Sequence, residues 1–170
     1  MDPLGAFYNS DLARIHHYAG KSDKAINMAL RSFEMEPGYR PAMGVLACAL
    51  EHIGKKDSSV VCASKSATRS ATDYEGVPGY FKIEPQPYGQ YWEEVLNRSL
   101  EDRKTQKIPN MVMAVLYMRN NDRENAIKSL QKAYEIREGS IVYINAEPLF
   151  RPLHADSRYQ AIIAGMGLSD

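Results

Sequence analysis

The chain has 170 residues and equal numbers of basic and acidic side chains, so its formal net charge is zero. This length suits one domain or one short repeat array and is too short for two independent enzymes. With both signs interspersed, the charge gives no reason to expect nucleic acid or an anionic membrane as a partner. No apolar run approaches the roughly 18 residues of a membrane span, and no secretory leader is recognisable, so we expect a cytoplasmic protein.

Two amphipathic helices are expected at the start of the chain. The first covers about residues 7–19, and Ser22 and Asp23 begin a second helix that runs to about Glu36. Gly20 ends the first helix where a positive φ is needed, and Pro37 closes the second. The two helices therefore form an antiparallel pair.

A second pair of helices follows, and proline and glycine again mark where its helices begin and end. Pro41 suits a first helical turn, the helix is expected to reach Ile53, Gly54 opens the turn, and the partner helix covers about residues 58–69. Cys48 and Cys62 stand at similar places in these two helices. Two cysteines are too few for a disulfide framework, so we interpret them as small core residues in a reducing compartment.

Between residues 71 and 90 the helical pattern fails. Pro78, Pro85 and Pro87 each lack the amide that a helix needs, so this half-pair is expected to be a loop. A helix resumes at about residues 90–104. The loop and the start of that helix are rich in aromatic residues, namely Tyr74, Tyr80, Phe81, Tyr88, Tyr91 and Trp92. These side chains either cover apolar faces left bare by the missing helix or form a surface for a partner or for self-association.

The clearest pair of helices lies within residues 109–138. Met113, Ala114 and Tyr117 recur at three- and four-residue steps before a polar break at residues 119–123. Apolar residues recur in the same way after it, at Ala126, Ile127, Leu130, Ala133 and Tyr134. The break is short enough for a tight turn between antiparallel helices.

The closing segment, residues 140–170, is expected to cover the last pair. Pro148 and Pro152 predict an extended stretch, and Asp156 or Ser157 is expected to cap a final helix, Ser157 forming a capping box with Gln160. Tyr159, Ile162 and Ile163 would face inward. An end helix of this kind shields the apolar flank of a repeat array.

These pairs are copies of one unit. Leu12, Ala13 and Gly20 return 34 residues later as Leu46, Ala47 and Gly54, the period and layout of the tetratricopeptide repeat. The sequence thus predicts an all-α, tetratricopeptide-repeat-like α-solenoid of antiparallel helix pairs with a C-terminal capping helix. We expect a single domain, 1–170, made of repeats 6–39 and 40–72, a degenerate repeat 73–106 with the loop 71–90, a repeat 107–139 and a cap 140–170.

The stretch KIPNMVMAVLYMRNNDRENAIKSLQKAYEIREGSIVYINAEPLFRPLHADSRYQAIIAGMGL resembles the C-terminal tetratricopeptide region of bacterial multidomain regulators. In those proteins it follows a winged-helix, serine/threonine kinase or nucleotide-cyclase domain. Their closing signature, Asp-Pro-x-Phe-x-Pro-Leu-Arg-x-Asp-Pro-Arg-Phe-Gln, stands here from Glu147 to Gln160, with His154 for Arg and Ser157 for Pro. The resemblance implies a regulatory or scaffolding module that binds proteins without catalysis. If such a regulator were membrane-anchored, the module would be periplasmic.

The same resemblance implies where a protein or peptide would bind. In relatives the concave groove is lined by first-helix positions one turn apart, which we call the first-helix surface. By phase these are Phe7, Ser10, Arg14, His17, Gly44, Cys48, Glu51, Met111, Val115 and Met118. The alternative is that Met111, Val115 and Met118 merely touch the loop.

A second function, homodimerisation, would use the aromatic residues 74–92, with Tyr80, Phe81, Tyr88, Tyr91 and Trp92 as the interface. A metal-dependent enzyme is the third possibility. The four histidines argue against it, because no pair has the i, i+4 spacing of a helical metal site. No phosphate loop or nucleophile motif occurs, so we expect no catalytic residue, metal or cofactor, and no contact with nucleic acid or membrane through this segment.

Overall fold

The computed structural model describes residues 3–66 and 85–168. Over these two ranges all regular structure is helical and no strand occurs, so the predicted all-α class is confirmed. The α-helices are α1 (Pro3–Tyr18), α2 (Ser22–Met35), α3 (Arg40–His52), α4 (Lys56–Ser66), α5 (Tyr88–Asp102), α6 (Asn110–Arg119), α7 (Arg123–Glu135) and α8 (Ser157–Gly165). Two 3₁₀ helices, Gly139–Tyr143 and Pro148–Leu153, lie between α7 and α8.

Three tight turns join the helices within the pairs, and all use one backbone conformation. Gly20 and Gly54 have φ values of 70° and 81°, in the left-handed region that glycine adopts without a steric penalty. At the equivalent place in the last pair stands Asn121, with a φ of 58°. Asparagine tolerates this region better than most residues, so the turn geometry is kept where the glycine is lost.

The chain divides into two compact units, residues 1–91 and 92–170, and the division falls within α5. In the first unit α1 packs against α2, α3 against α4, and the second pair stacks on the first. The core between the pairs is built from small side chains, Ala13, Ala29 and Ala42, together with Val45 and Leu46. Small residues let helix backbones approach closely, which explains their recurrence along the repeat.

The second unit has a larger-residue core. Leu130 on α7, Phe150 and Leu153 on the second 3₁₀ helix, and Tyr159 on α8 are each at most 1% exposed. The Tyr159 hydroxyl donates a hydrogen bond to the carbonyl oxygen of Ile144 at 2.9 Å, and burial raises the pKa of Tyr159 to about 12. The closing segment therefore covers the last pair, as predicted.

Two details of this closing segment differ from the prediction. Residues 148–153 are a 3₁₀ helix and not extended, because a proline φ near −65° fits the 3₁₀ conformation and Pro148, at its first turn, needs no amide partner. Of the two caps predicted for α8, Asp156 is confirmed, because its carboxylate accepts a hydrogen bond from the backbone amide of Arg158 at 2.9 Å. The predicted capping box of Ser157 with Gln160 is wrong, since the side-chain amide of Gln160 donates to the His154 carbonyl oxygen at 2.6 Å.

A glutamate carboxylate connects the end of α7 to the beginning of α6 in the last pair. Glu138 follows α7 and accepts hydrogen bonds from the backbone amides of Asn110 at 2.8 Å and Met111 at 3.0 Å, the first amides of α6. The Ser140 hydroxyl donates to the same carboxylate at 2.8 Å. Burial raises the pKa of Glu138, but these hydrogen bonds outweigh it and hold the pKa below the ordinary value of 4.5.

The expectation of a single domain over 1–170 stays a prediction, because the chain divides into two compact units. The predicted loop at 71–90 falls mostly outside the described residues. Its last part is described, and there α5 begins at Tyr88, two residues before the expected start.

Candidate functional site

One position of the first helices stays partly exposed in three copies of the repeat. Arg14 on α1, Cys48 on α3 and Val115 on α6 occupy the same repeat position and are each half-buried. One turn earlier, Ser10 and Met111 are 4% and 7% exposed. On α1 and on α6 a half-exposed side chain therefore lies one turn from a buried one, as a binding surface on its own helical scaffold requires.

The α1 part of this surface is only partly accessible. Phe7 is 47% exposed, whereas His17 is buried and its ring lies edge-on to that of His52, with the ring centroids 6.1 Å apart. The Arg14 guanidinium donates to the Asp11 carboxylate one turn earlier on the same helix. Ser10 and His17 therefore contribute to packing, and Phe7 and Arg14 are the α1 side chains that a ligand could reach.

Glu51 on α3 is joined to one of the aromatic residues. The hydroxyl of Tyr88, at the start of α5, donates a hydrogen bond to the Glu51 carboxylate. The ammonium group of Lys56 lies 4.8 Å from the centroid of the Tyr88 ring, within the range of a cation–π contact. The structure thus brings together two residues that the sequence had assigned to different candidate sites, and Tyr88 anchors the beginning of α5 to the second helix pair.

The α6 part of the surface is apolar. Val115 and Met118 are half-buried and pack against the core cluster of the second unit, whereas Met111 belongs to that core. At the end of α6 the Arg119 guanidinium lies 3.9 Å from the centre of the Trp92 ring, and the Asn120 side-chain amide donates to the Trp92 carbonyl oxygen at 3.0 Å. The polar break of the sequence contained Arg119 and Asn120 but gave no sign of their partner.

The candidate aromatic interface is placed only in part. Tyr91 and Trp92 are buried, so they contribute to packing instead of an open surface. Tyr88 is half-buried. Tyr80 and Phe81 lie outside the described residues, and for these two the interface stays a prediction.

Cys48 and Cys62 are not joined in a disulfide and are half-buried, so they are less enclosed than the predicted core residues. Burial raises the pKa of the Cys62 thiol, and the nearby Lys65 offsets this only in part. A raised pKa keeps the thiol protonated and weakly nucleophilic at neutral pH. Within residues 3–66 and 85–168, no three histidine, cysteine or acidic side chains come together as metal ligands would.

A cavity of about 600 Å³ opens between α1 and α2, outside the first-helix surface. His16 forms its α1 wall, and the other lining residues are all on α2, among them Met28, Leu30 and Arg31. The helical periodicity of the sequence places these residues on an outward face and does not predict the cavity. None of the described helices is long and apolar enough to cross a membrane.

Comparison with known proteins identifies the last pair. Residues 110–139, which hold α6, the Asn121 turn and α7, match the family profile of the tetratricopeptide repeat. A search of curated proteins and a search of solved structures found no match. The all-helical fold and the profile agree with the period read from the sequence, so the chain contains a tetratricopeptide repeat, at residues 110–139.

Proposed function

We propose that this chain is a protein-interaction module that holds a protein or peptide segment on its first-helix surface. Tetratricopeptide repeats generally mediate protein–protein binding, and the match at residues 110–139 supports that role here. The observation that carries the proposal is that Arg14, Cys48 and Val115, which occupy one position of the repeat on three first helices, are each half-exposed.

The side chains on this surface define the chemistry of the partner. In the first unit the accessible groups include the ion-paired Arg14 and the Glu51 carboxylate, whereas in the second unit Val115 and Met118 are apolar. Methionine adapts its shape to varied apolar ligands. A segment with charged or polar groups suits the surface of the first unit, and a segment with apolar side chains suits that of the second.

The wider role that we propose is regulatory, in a bacterial signalling or transcription protein located in the cytoplasm. The resemblance of residues 147–160 to the closing signature of such regulators supports it, and Asp156 and Arg158 of that signature form the cap of α8. This role assigns no catalytic step, cofactor or nucleic-acid contact to the chain. Identification of a DNA-binding, kinase or cyclase domain in the same gene would test the regulatory part separately.

Peptides selected on the protein from a random phage-displayed library provide a probe for the binding surface. The double variant Arg14→Glu and Val115→Asp reverses one charge and adds another on the first-helix surface. We expect it to weaken the selected peptides by at least about tenfold, roughly 1.4 kcal/mol. Lys24→Glu with Lys128→Glu, on α2 and α7, is the matched control and should leave affinity unchanged. Equal binding by both double variants would refute the assigned surface.

A further inference from the structure

Tyr88, the first residue of α5, contacts the first-helix surface of the first unit. Its hydroxyl donates a hydrogen bond to Oε1 of Glu51, which lies 37 positions earlier on α3. The ammonium group of Lys56, the first residue of α4, is 4.8 Å from the centre of the Tyr88 ring. Tyr88 and Glu51 are half-buried, and Lys56 is exposed. Side chains from three helices therefore meet near the end of α3.

The chain before Tyr88 fixes where its side chain lies. Pro85 and Pro87 stand on either side of Gln86, and a proline fixes its own φ and restricts the residue before it. The Pro87 carbonyl oxygen accepts a hydrogen bond from the Tyr91 amide at 3.0 Å, and the Tyr91 side chain is fully buried. The backbone on both sides of Tyr88 is thus held without the Tyr88 hydroxyl. Replacing that hydroxyl by hydrogen leaves the ring in place.

The contact alters what Glu51 offers to a ligand. An open carboxylate forms strong, charge-assisted hydrogen bonds with lysine and arginine side chains. At Glu51 such a side chain would have to displace the Tyr88 hydroxyl from Oε1 and to approach the Lys56 ammonium, which repels it. Both effects oppose the binding of a cation, so a basic ligand gains less here than at an open glutamate.

A second charged group on the same surface also has a partner within the chain. The Arg14 guanidinium forms an ion pair with Asp11, one turn earlier on α1. A ligand charge at either place would compete with a contact that already exists. Neutral polar side chains can add hydrogen bonds beside these contacts without breaking them. The contacts of Arg14 and Glu51 therefore narrow the ligand of the first unit to a neutral polar segment.

We propose that Tyr88 is a specificity-determining residue of the first-helix surface, which keeps the lysine and arginine side chains of a ligand away from Glu51. This inference rests on the proposed function, because it assumes that a peptide binds to this surface in the first unit. Tyr88 acts by occupying Oε1 of Glu51, and Lys56 adds repulsion. The first unit consequently selects neutral polar peptides over basic ones.

Peptide selection on two forms of the full chain tests this inference. A random phage-displayed library is panned separately on the wild type and on Tyr88→Phe, which removes the hydroxyl and retains the ring beside Lys56. We expect lysine and arginine to be enriched at one peptide position on the variant only. Synthetic peptides from the variant selection should bind Tyr88→Phe about tenfold more tightly than the wild type, the effect of one hydrogen bond to a charged group.

Two further variants serve as controls. Tyr88→Phe combined with Glu51→Gln lacks the carboxylate, so the enrichment of basic residues should disappear. Tyr8→Phe removes a hydroxyl from an exposed ring of α1 in the same unit and should select the same peptides as the wild type. If Tyr8→Phe also selects basic peptides, the loss of any hydroxyl is sufficient and the role of Tyr88 is refuted.

The stability of the same variants provides a measurement that needs no ligand. The hydrogen bond couples Tyr88 to Glu51, so the double variant should lose less stability than the sum of the losses in Tyr88→Phe and Glu51→Gln. Urea unfolding followed by circular dichroism measures all three variants. Additive losses would mean that the hydrogen bond is absent in solution and would overturn the inference without any binding data.

The outcomes separate this inference from the proposed function. Binders with the same proportion of lysine and arginine on the wild type and on Tyr88→Phe would overturn the role of Tyr88 and leave the binding surface standing. A library that yields no binder on any form would refute the proposed function, and the role of Tyr88 with it.

Discussion

The first and last helix pairs are copies of one repeat, but their cores and the cover of their outer faces differ. The core between α1–α2 and α3 is made of alanines with Val45 and Leu46, and Tyr8, Leu12 and Ile15 on the outer face of α1 remain exposed. The pair α6–α7 is covered by the larger side chains of Phe150, Leu153 and Tyr159. It is also joined end to end by Glu138.

This difference shows what the repeat determines and what it leaves open. The repeat specifies the small residues inside each pair and the turn between its helices. It does not specify what covers the outermost face, because inside an array the next copy provides that cover. The last pair obtains its cover from its own closing segment, whereas Tyr8, Leu12 and Ile15 on the outer face of the first pair stay exposed.

The largest effect should come from emptying the core of the closing segment. Phe150→Ala removes a fully buried ring and should lower the free energy of unfolding by about 3–5 kcal/mol. Phe7→Ala makes the same chemical change on exposed α1 and should cost about 0.5 kcal/mol or less. Urea unfolding followed by helical circular dichroism measures both, and equal losses would contradict the contrast between the pairs.

The turns of the two pairs should respond with opposite signs. Gly54→Ala places a side chain at a φ of 81° and should lower the free energy of unfolding by about 1–2 kcal/mol. Asn121→Gly removes one at a φ of 58° and should be neutral or slightly stabilising. Thermal unfolding of each variant checks the pair. A neutral Gly54→Ala would mean that the turn does not need its left-handed conformation.

The Glu138 carboxylate should make the stability of the last pair depend on pH. Its pKa is lowered by folding, so its contribution is complete above about pH 4.5 and is lost as the pH falls through the lower folded pKa. Glu138→Gln should cost about 1 kcal/mol at neutral pH and flatten this acid dependence. Trp92 fluorescence during urea unfolding at several pH values reports on this unit.

The control for Glu138 is the exposed Glu93 on α5. Glu93→Gln should leave both the stability and its pH profile as in the wild type. If the two glutamine variants behave alike, the hydrogen bonds of Glu138 do not stabilise the last pair in solution.

The smallest effect is expected at the surface of the last pair. Arg158 binds the Glu124 carboxylate through two contacts of 3.0 and 2.9 Å and also pairs with Asp156, and these contacts lower the pKa of both acids. Arg158→Gln should lower the melting temperature slightly, and high salt should remove the difference because it screens exposed charges. A difference that persists in high salt would mean that Arg158 acts through packing.

Most of the fold could be predicted from local sequence. Apolar residues at three- and four-residue steps located the helices, and Gly20, Gly54 and Pro41 marked their ends within a few residues. These signals are strong because each acts on the backbone within one turn of its own position. The same reasoning placed Tyr159, Ile162 and Ile163 on the buried side of α8.

The parts that were missed depend on contacts between distant residues. Glu138 meets Asn110 across 28 positions, and no local pattern predicts that a glutamate will occupy the start of another helix. Helical phase placed Ser10 and His17 one turn from Arg14, but it could not show that packing would bury them. For the same reason Trp92 was assigned to a possible interface although its ring lies under Arg119.

The most direct test of the account is to map a library-selected peptide by NMR on the isotope-labelled protein. We predict that amide shifts concentrate on first helices, around Arg14 and Cys48 in the first unit or around Val115 in the second, with small changes on α2, α4 and α7. Shifts confined to the second helices of the pairs would contradict the assignment of the first-helix surface as the binding site.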